Sequence, residues 1–156
     1  MVLLQFLDVV ILILGILSFG YQALYFIAGF FGKPQKYAAA PQDKHYAVLI
    51  SARNESQVIG NLIGSLHKQT YPSELVDIWV VADNCTDDTA DVCRGLGCRV
   101  LERFNQEQVG KGYALKFLFN YMRDRKFSDI YDAYFIFDAD NLLDPKYIEE
   151  MNNAFQ

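Results

Sequence analysis

The sequence has few of the residues that build disulfide frameworks, metal knuckles or nucleic-acid surfaces. Its three cysteines form neither an even set nor a Cys-x-x-Cys pair, so the reduced thiols of a cytosolic protein are expected. The two histidines are isolated and lack the spacing of metal ligands. The net charge of -5 and the absence of any basic cluster argue against nucleic acid as a partner.

Charge is missing altogether from a long segment near the start of the chain. Residues Val9 to Phe31 carry no charged side chain and are rich in Leu, Ile and Phe. A helix of that length spans about 35 Å, enough to cross a membrane with some tilt. No basic start precedes the run, which disfavours a cleaved signal peptide. We therefore predict one transmembrane helix within residues 1–32.

The charges on either side of this helix predict its orientation and the limits of the domains. Asp8 precedes the apolar run, whereas Lys33 and Lys36 follow it. The positive-inside rule then places the rest of the chain in the cytoplasm, as the domain of a single-pass membrane protein. Residues 33–45, with two prolines, are predicted as a juxtamembrane linker and residues 46–156 as one domain.

Within this domain, short apolar runs alternate with segments of helical periodicity. The runs predicted as strands are 46–52, 75–82, 98–102 and the stretch 134–141, and a helix is predicted after each of them. Such alternation with short loops is typical of right-handed βαβ units and a mostly parallel sheet. We predict an α/β fold with strand order 3-2-1-4. Asn54 or Ser56 is expected to cap the helix after the first strand, and Thr86 the helix after the second.

Two carboxylates end the fourth predicted strand. Its apolar run is followed by Asp138, Ala139 and Asp140. Side chains two apart point to the same side of an extended chain, so both acids could reach one cation or one phosphate. Without a divalent metal or a set of hydrogen-bond donors, two such carboxylates would repel each other. The alternative is an ordinary strand that ends in a polar turn.

Other polar residues follow the first and second predicted strands. In a parallel sheet of this order, ligands bind outside the carboxyl ends of the strands, at the switch point between strands one and four. Arg53 and Glu55 lie after strand one, and Asp83 lies after strand two, so they are candidates for the same crevice as the acids of strand four. Structural alternatives remain: a turn role for Asp83, and for Glu55 a helix-start role or pairing with Arg53.

A lysine between two glycines precedes the helix before strand four. Gly110 and Gly112 would let the backbone approach a phosphate closely, and Lys111 would add a positive charge. The spacing is not that of a Walker loop. The alternative is a solvated lysine at a helix start.

Taken together, these pieces resemble the amino-terminal part of a family 2 glycosyltransferase, of the membrane-bound inverting kind that includes cellulose and hyaluronan synthases. They cover residues 46 to 150 in the family's order and spacing. The matching pieces are Ser51–Glu55, Val81–Thr89, Gly110–Leu115 and Phe137–Asn141.

The resemblance implies a Rossmann-like nucleotide-diphospho-sugar transferase fold of the A type, and inverting hexosyl or N-acetylhexosaminyl transfer from a UDP-sugar to a glycan, lipid or protein, in polysaccharide biosynthesis. It also implies roles for individual residues. Asp83 contacts the uracil or ribose, Ala52, Arg53 and Glu55 line the nucleotide-sugar pocket with Lys111 nearby, Asp138 holds the sugar nucleotide, and Asp140 with Asp138 ligates Mg2+ or Mn2+.

The resemblance further implies that the general base lies beyond Gln156, so the chain is expected to be the donor-binding half of an incomplete domain. One alternative is a membrane-anchored fragment that binds nucleotide sugars without catalysis. A more remote one is a phosphatase of the haloacid dehalogenase type, whose strand also ends in Asp-x-Asp. That family expects Thr or Val where this chain has Leu142.

Overall fold

The computed structural model describes residues 2–32 and 37–155, and the chain forms two compact units, Met1–Lys36 and Tyr37–Gln156. The first unit is one helix, α1 (Val2–Phe31). Its part from Leu4 to Phe31 is long and apolar enough to cross a membrane, judged by length and composition. Because this helix is apolar on all sides, it has no polar face to turn to water. The predicted apolar helix is confirmed.

The second unit is a parallel sheet with helices between its strands. The strands are β1 (Tyr46–Ala52), β2 (Val76–Asp83), β3 (Arg99–Arg103) and β4 (Ala133–Asp138). The helices are α2 (Ile59–Leu66), α3 (Thr89–Gly95), α4 (Lys111–Asp124) and α5 (Tyr147–Phe155), with short 3-10 turns at Ser73–Leu75 and Phe127–Asp129. All three strand pairings are parallel, in the order β3-β2-β1-β4. The predicted fold class and strand order are confirmed.

The central strand β1 is buried on both faces, as its uninterrupted apolar run predicts. On one face, Val48 and Ile50 pack with the apolar sides of α2, α3 and α5. On the other face, Ala47 and Leu49 pack with Trp79 and with α4, which contributes Ala114, Leu118 and Met122. The second unit therefore has a helix layer on each side of one sheet, and the packing of these layers does not involve the ends of the strands.

Helix starts differ from the sequence prediction. Helix α2 begins at Ile59 after Val58, and α3 begins at Thr89 after Asp88, and neither capping residue forms a side-chain cap hydrogen bond. The predicted capping by Asn54 or Ser56 and by Thr86 is therefore wrong. These polar side chains instead join the loops that follow β1 and β2 to each other.

The fourth strand ends earlier than predicted. It stops at Asp138, and a turn follows in which the Asn141 N–H donates to the Asp138 carbonyl oxygen at 3.1 Å. Asp140 therefore lies in the turn and not in an extended chain. The alternation of burial still continues through the turn, because Ala139 is buried between two exposed aspartates.

Part of the predicted linker, residues 33–36, lies outside the described residues. The described part forms hydrogen bonds within the second unit. The Ala40 N–H donates to Asn153 Oδ1 at 2.9 Å, and the Lys44 N–H donates to the Tyr71 hydroxyl at 3.0 Å. Residues 40–45 are thus held in place along that unit, and the limits of the linker and domain stay a prediction.

Candidate functional site

The carboxyl ends of β1, β2 and β4 lie side by side at one edge of the sheet. Ala52 is opposite Ala82 in the neighbouring strand, and Ser51 is opposite Asp138 on the other side. The last residue of β2, Asp83, is opposite Arg103 of β3. The register therefore brings the candidate residues of three separate sequence segments to the same edge.

Two asparagines shape the loops at this edge. Asn54 after β1 and Asn84 after β2 both have left-handed backbone angles, with φ of 56° and 53°. Asparagine tolerates this conformation better than most residues because its short polar side chain can bond locally. Asn54 Oδ1 accepts from the Thr86 N–H at 2.8 Å, and Asn84 Oδ1 accepts from the Asn105 N–H at 2.8 Å. The loops after β1, β2 and β3 are thereby connected.

Asp87 and Thr89 brace the loop that carries Glu55. The Glu55 N–H donates to Thr89 Oγ1 at 2.9 Å, and the Ser56 N–H donates to Asp87 Oδ2 at 3.2 Å. The Thr89 hydroxyl in turn donates to Asp87 Oδ1 at 2.5 Å. Hydrogen bonds from Thr89 and then Ser56 hold the pKa of Asp87 well below its usual range. The sequence carries no local signal for this brace, because its bonds join residues more than thirty positions apart.

Arg53 and Glu55 keep their charged groups available. Arg53 is exposed and Glu55 is half-buried, and within residues 2–32 and 37–155 neither side chain forms a hydrogen bond or an ion pair. The structural alternatives, an Arg53–Glu55 pair and a helix-start role for the Glu55 carboxylate, are therefore not what the described residues show. Ala52 is 1% exposed, so it can offer a ligand little more than a close approach to its backbone.

Asp83 forms a buried ion pair that the sequence analysis did not anticipate. Its Oδ1 accepts from Arg103 Nη1 at 2.5 Å, and the two side chains are only 3% and 7% exposed. Arg103 Nη2 also donates to the Gln108 carbonyl oxygen at 2.8 Å. A lone arginine at the end of a predicted strand gives little warning of this pair. Position in the sheet does indicate the pair, because Asp83 and Arg103 stand at the ends of adjacent parallel strands, which lie next to each other.

Lys111 contacts the aspartate that ends β4. It is the first residue of α4 and follows Gly110, whose φ of 119° is a conformation suited to glycine. Its Nζ forms an ion pair with Asp138 Oδ1, and the two side chains are 46% and 59% exposed. The alternative of a solvated lysine at a helix start agrees with its position and exposure, and the structure adds that its charge is paired with Asp138.

Asp138 and Asp140 fit a cation that is shared with a ligand. Both are exposed, and no group of three or more His, Cys, Asp or Glu side chains suited to a metal occurs in the described part of the chain. Mg2+ is typically held by one or two carboxylates together with phosphate oxygens of a substrate. Two exposed carboxylates match that donor set, and they do not match a closed all-protein site.

A cavity opens next to Asp140. Its volume is about 720 Å3, and it is lined by one side of α2, including Asn61 and Ser65, by Lys68 just after that helix, and by the loop from Asp140 to Pro145. Ser65 already supports this loop, because its hydroxyl accepts from the Leu143 N–H at 3.2 Å. The turn that carries Asp140 therefore has open space on one side and is anchored to α2.

Comparison with known proteins identifies what this arrangement is similar to. The family model described as "Glycosyl transferase family 2" matches residues 47–156. A beta-monoglucosyldiacylglycerol synthase of a Nostoc species is 32% identical over 92 residues, which is 54% of this chain and 20% of that protein. A 4,4'-diaponeurosporenoate glycosyltransferase of Staphylococcus aureus is 41% identical over 59 residues, 38% of this chain and 15% of that protein. The chain thus spans about a fifth or less of these relatives.

Solved structures share the fold. A mannosyltransferase from Pyrobaculum calidifontis, in complex with GDP-Man and Mn2+, superimposes with a TM-score of 0.63 at 20% identity, covering 90% of this chain and 41% of that one. TarS of S. aureus in complex with UDP-GlcNAc gives a TM-score of 0.50 at 19% identity, covering 69% and 30%. At these identities the likeness shows the fold, which confirms the predicted A-type transferase architecture.

Proposed function

Because this chain belongs to glycosyl transferase family 2, we propose that it binds a nucleotide-activated sugar and forms the donor half of a metal-dependent inverting glycosyltransferase. The observation that carries the proposal is that Asp83 and the Lys111–Asp138 pair lie at the same edge of the sheet, at the carboxyl ends of the two strands that flank β1. Ligands of open parallel sheets bind at this edge. The phosphatase alternative is set aside, because the family match extends over residues 47–156.

The nucleoside would lie over the ends of β1 and β2. There Asp83 would accept a hydrogen bond from the base or the ribose, and Glu55 would accept another from the nucleotide. Ala52 has only a methyl group, so the ring can approach the strand closely. Arg53, exposed at the rim, would pair with a charged part of the donor. The UDP-sugar assignment rests on the family resemblance of these positions.

The diphosphate would lie between α4 and the tip of β4. Asp138 and Asp140 would hold Mg2+ or Mn2+ there. Such an ion would neutralise the negative charge that develops on the departing nucleoside diphosphate. Lys111 would exchange its contact with Asp138 for a phosphate oxygen, since one ammonium can reach both from the same helix start. Its charge would then stabilise the leaving group directly.

The two aspartates would position the donor and would not act as acid and base. Inverting transfer needs a general base that deprotonates the acceptor hydroxyl on the opposite face of the sugar. We assign that role to none of the candidate residues of this site. Residues 46–156 would then be the donor-binding half, residues 33–45 the linker, and residues 1–32 the membrane helix.

We also propose that α1 spans a membrane once and that the second unit is cytoplasmic, from the positive charges that follow the helix in sequence. An anchored domain favours an acceptor at the membrane surface. One relative is named as a glucosyldiacylglycerol synthase, which supports a lipid acceptor beside the glycan acceptors of the membrane-bound group that includes cellulose and hyaluronan synthases.

The test is a calorimetric titration of the full chain with UDP, with and without Mn2+. Binding is expected only with the metal, and Asp140→Ala is expected to abolish it. Asp124→Ala removes another exposed acid, one that pairs with its neighbour Arg123 at the end of α4, and it should bind as the unchanged chain does. Absence of UDP binding under all conditions would count against the transferase and equally against a non-catalytic sensor. Hydrolysis or transfer of the sugar from a UDP-sugar separates those two, because a non-catalytic sensor leaves the donor intact.

A further inference from the structure

Asp83 and Arg103 form the most enclosed ion pair in the described part of the chain, and their burial raises a question about function. The side chains are 3% and 7% exposed, against 26% or more for the other paired side chains. Removing two charges from water is unfavourable, and a buried pair is often no more stabilising than well-packed apolar residues. Stability alone therefore gives a weak reason for an ion pair at this edge of the sheet.

The side-chain hydrogen bonds of Asp83 all reach the same carboxylate oxygen. Oδ1 accepts from Arg103 Nη1 at 2.5 Å and from Asn84 Nδ2 at 3.3 Å. Oδ2 accepts no hydrogen bond from any of the described residues, and it is not among their fully buried unpaired atoms. The protein thus supplies two donors to one carboxylate oxygen and none to the other.

Arg103 is itself held in place, which is what a positioning group requires. Its second guanidinium nitrogen, Nη2, donates to the Gln108 carbonyl oxygen at 2.8 Å. Its backbone carbonyl accepts from the Asn84 N–H at 2.7 Å, beside the left-handed turn. The nitrogen donors of a guanidinium lie in one plane at fixed angles, so anchoring one nitrogen fixes the direction in which the other donates. The orientation of the Asp83 carboxylate is therefore set by Arg103.

We propose that Arg103 is a positioning residue that selects the nucleobase of the donor through Asp83. By occupying Oδ1, it leaves Oδ2 as an acceptor in a fixed direction. An ionised carboxylate can only accept hydrogen bonds. Uracil offers a ring N–H donor, whereas cytosine has an acceptor nitrogen at the same ring position. Asp83 held in this way would accept from uracil and repel cytosine.

This inference rests on the proposed nucleotide site and adds a residue that determines its specificity. The experiment measures the affinities of UDP and CDP, each with Mn2+, for the full chain and for Arg103→Gln and Arg103→Lys. Arg99→Gln is the matched control. Arg99 lies at the other end of β3 and pairs with Asp77, Nη2 to Oδ1, at 3.2 Å. The readout is the ratio of the two affinities, which does not change if a variant merely contains less folded protein.

The unchanged chain and Arg99→Gln should prefer UDP by roughly tenfold to a hundredfold, the range for one hydrogen bond to a charged group. Arg103→Gln should reduce that preference to about threefold or less, because a freed carboxylate can turn away from either base. Arg103→Lys keeps the positive charge but loses the planar pair of donors, so its preference for UDP should lie between those of the unchanged chain and Arg103→Gln. An unchanged ratio in both Arg103 variants overturns the proposal while leaving the nucleotide site intact. A chain that binds neither nucleotide instead overturns the proposed function itself.

Discussion

Replacing Lys111 by methionine should separate function from stability at the candidate site. The change keeps the length and the apolar stem of the side chain and removes its charge. The Lys111–Asp138 pair is half-exposed, and exposed pairs contribute about 0–1 kcal/mol to folding. Lys111 also places a positive charge at the start of α4, where the helix dipole disfavours it by about 0.3–1 kcal/mol. Because these effects oppose each other, the free energy of unfolding should change by less than about 1 kcal/mol.

Ligand binding should respond much more strongly, and in opposite directions for two ligands. A hydrogen bond from lysine to a phosphate contributes about 1.5–3 kcal/mol, so UDP with Mn2+ should bind about 10- to 150-fold more weakly to Lys111→Met. Mn2+ alone should bind up to about fivefold more tightly, because the cation no longer competes with Lys111 for Asp138. The opposite signs follow from Lys111 having two partners, Asp138 in the free protein and phosphate in the complex.

The assays are denaturant unfolding followed by circular dichroism, and calorimetric titration with each ligand. Lys126→Met is the control, since Lys126 follows α4 at its other end and forms no ion pair among the residues that the structure describes. Equal binding of UDP and Mn2+ by Lys111→Met and the unchanged chain would refute the assignment of Lys111 to the diphosphate. A loss of several kcal/mol in stability would show that its role is structural instead.

Three further predictions concern the second unit. Cys93 and Cys98 are buried, and burial raises the pKa values of their thiols to about 12 and about 11. At pH 8 a thiol reagent should therefore modify only the half-buried Cys85 in the folded chain, and all three thiols in denaturant. The pKa values of both thiols in the folded chain lie above the ordinary value of 9.0. The contribution of the two protonated thiols to stability is therefore complete below pH 9 and is lost as the pH rises toward 11 and 12. A free energy of unfolding that stays constant between pH 9 and 12 would contradict this prediction. Leu118→Ala should lower the unfolding free energy by about 2–5 kcal/mol, since Leu118 is fully buried, whereas Phe117→Ala, at a side chain 36% exposed, should have a smaller effect.

The fold was predictable because its strongest signals are local. The run from Tyr46 to Ala52 is apolar at every position but one, and only a strand buried on both faces of a sheet needs that pattern. Short loops between strands and helices then restrict the sheet to parallel βαβ units, and the observed order β3-β2-β1-β4 is one that such units allow. Element ends were less predictable. Asp140 reads as part of a strand in the sequence, and only the hydrogen bonds of the turn at Asn141 place it outside.

The position of the candidate residues at one edge of the sheet was predictable, but the contacts between them were not. Asp83, Lys111 and Asp138 could be assigned to one edge, since each follows or precedes an element whose end is fixed by topology. The pairing of Asp83 with Arg103 depends on the register of β2 against β3, which side-chain spacing along the chain does not encode. The brace formed by Asp87 and Thr89 was hidden for a related reason. Both residues look like helix-capping groups, and the competing partner, the loop after β1, is distant in sequence.

The central claim is that Asp138 and Asp140 bind a divalent cation together with the diphosphate of a nucleotide. Electron paramagnetic resonance of Mn2+ tests it most directly, because bound Mn2+ loses the sharp signal of the free aqueous ion. With the full chain, addition of UDP should diminish the free Mn2+ signal well beyond what UDP alone does, and Asp140→Asn should remove that difference. A free Mn2+ signal that is the same with the unchanged chain, with Asp140→Asn and with UDP alone would contradict the account.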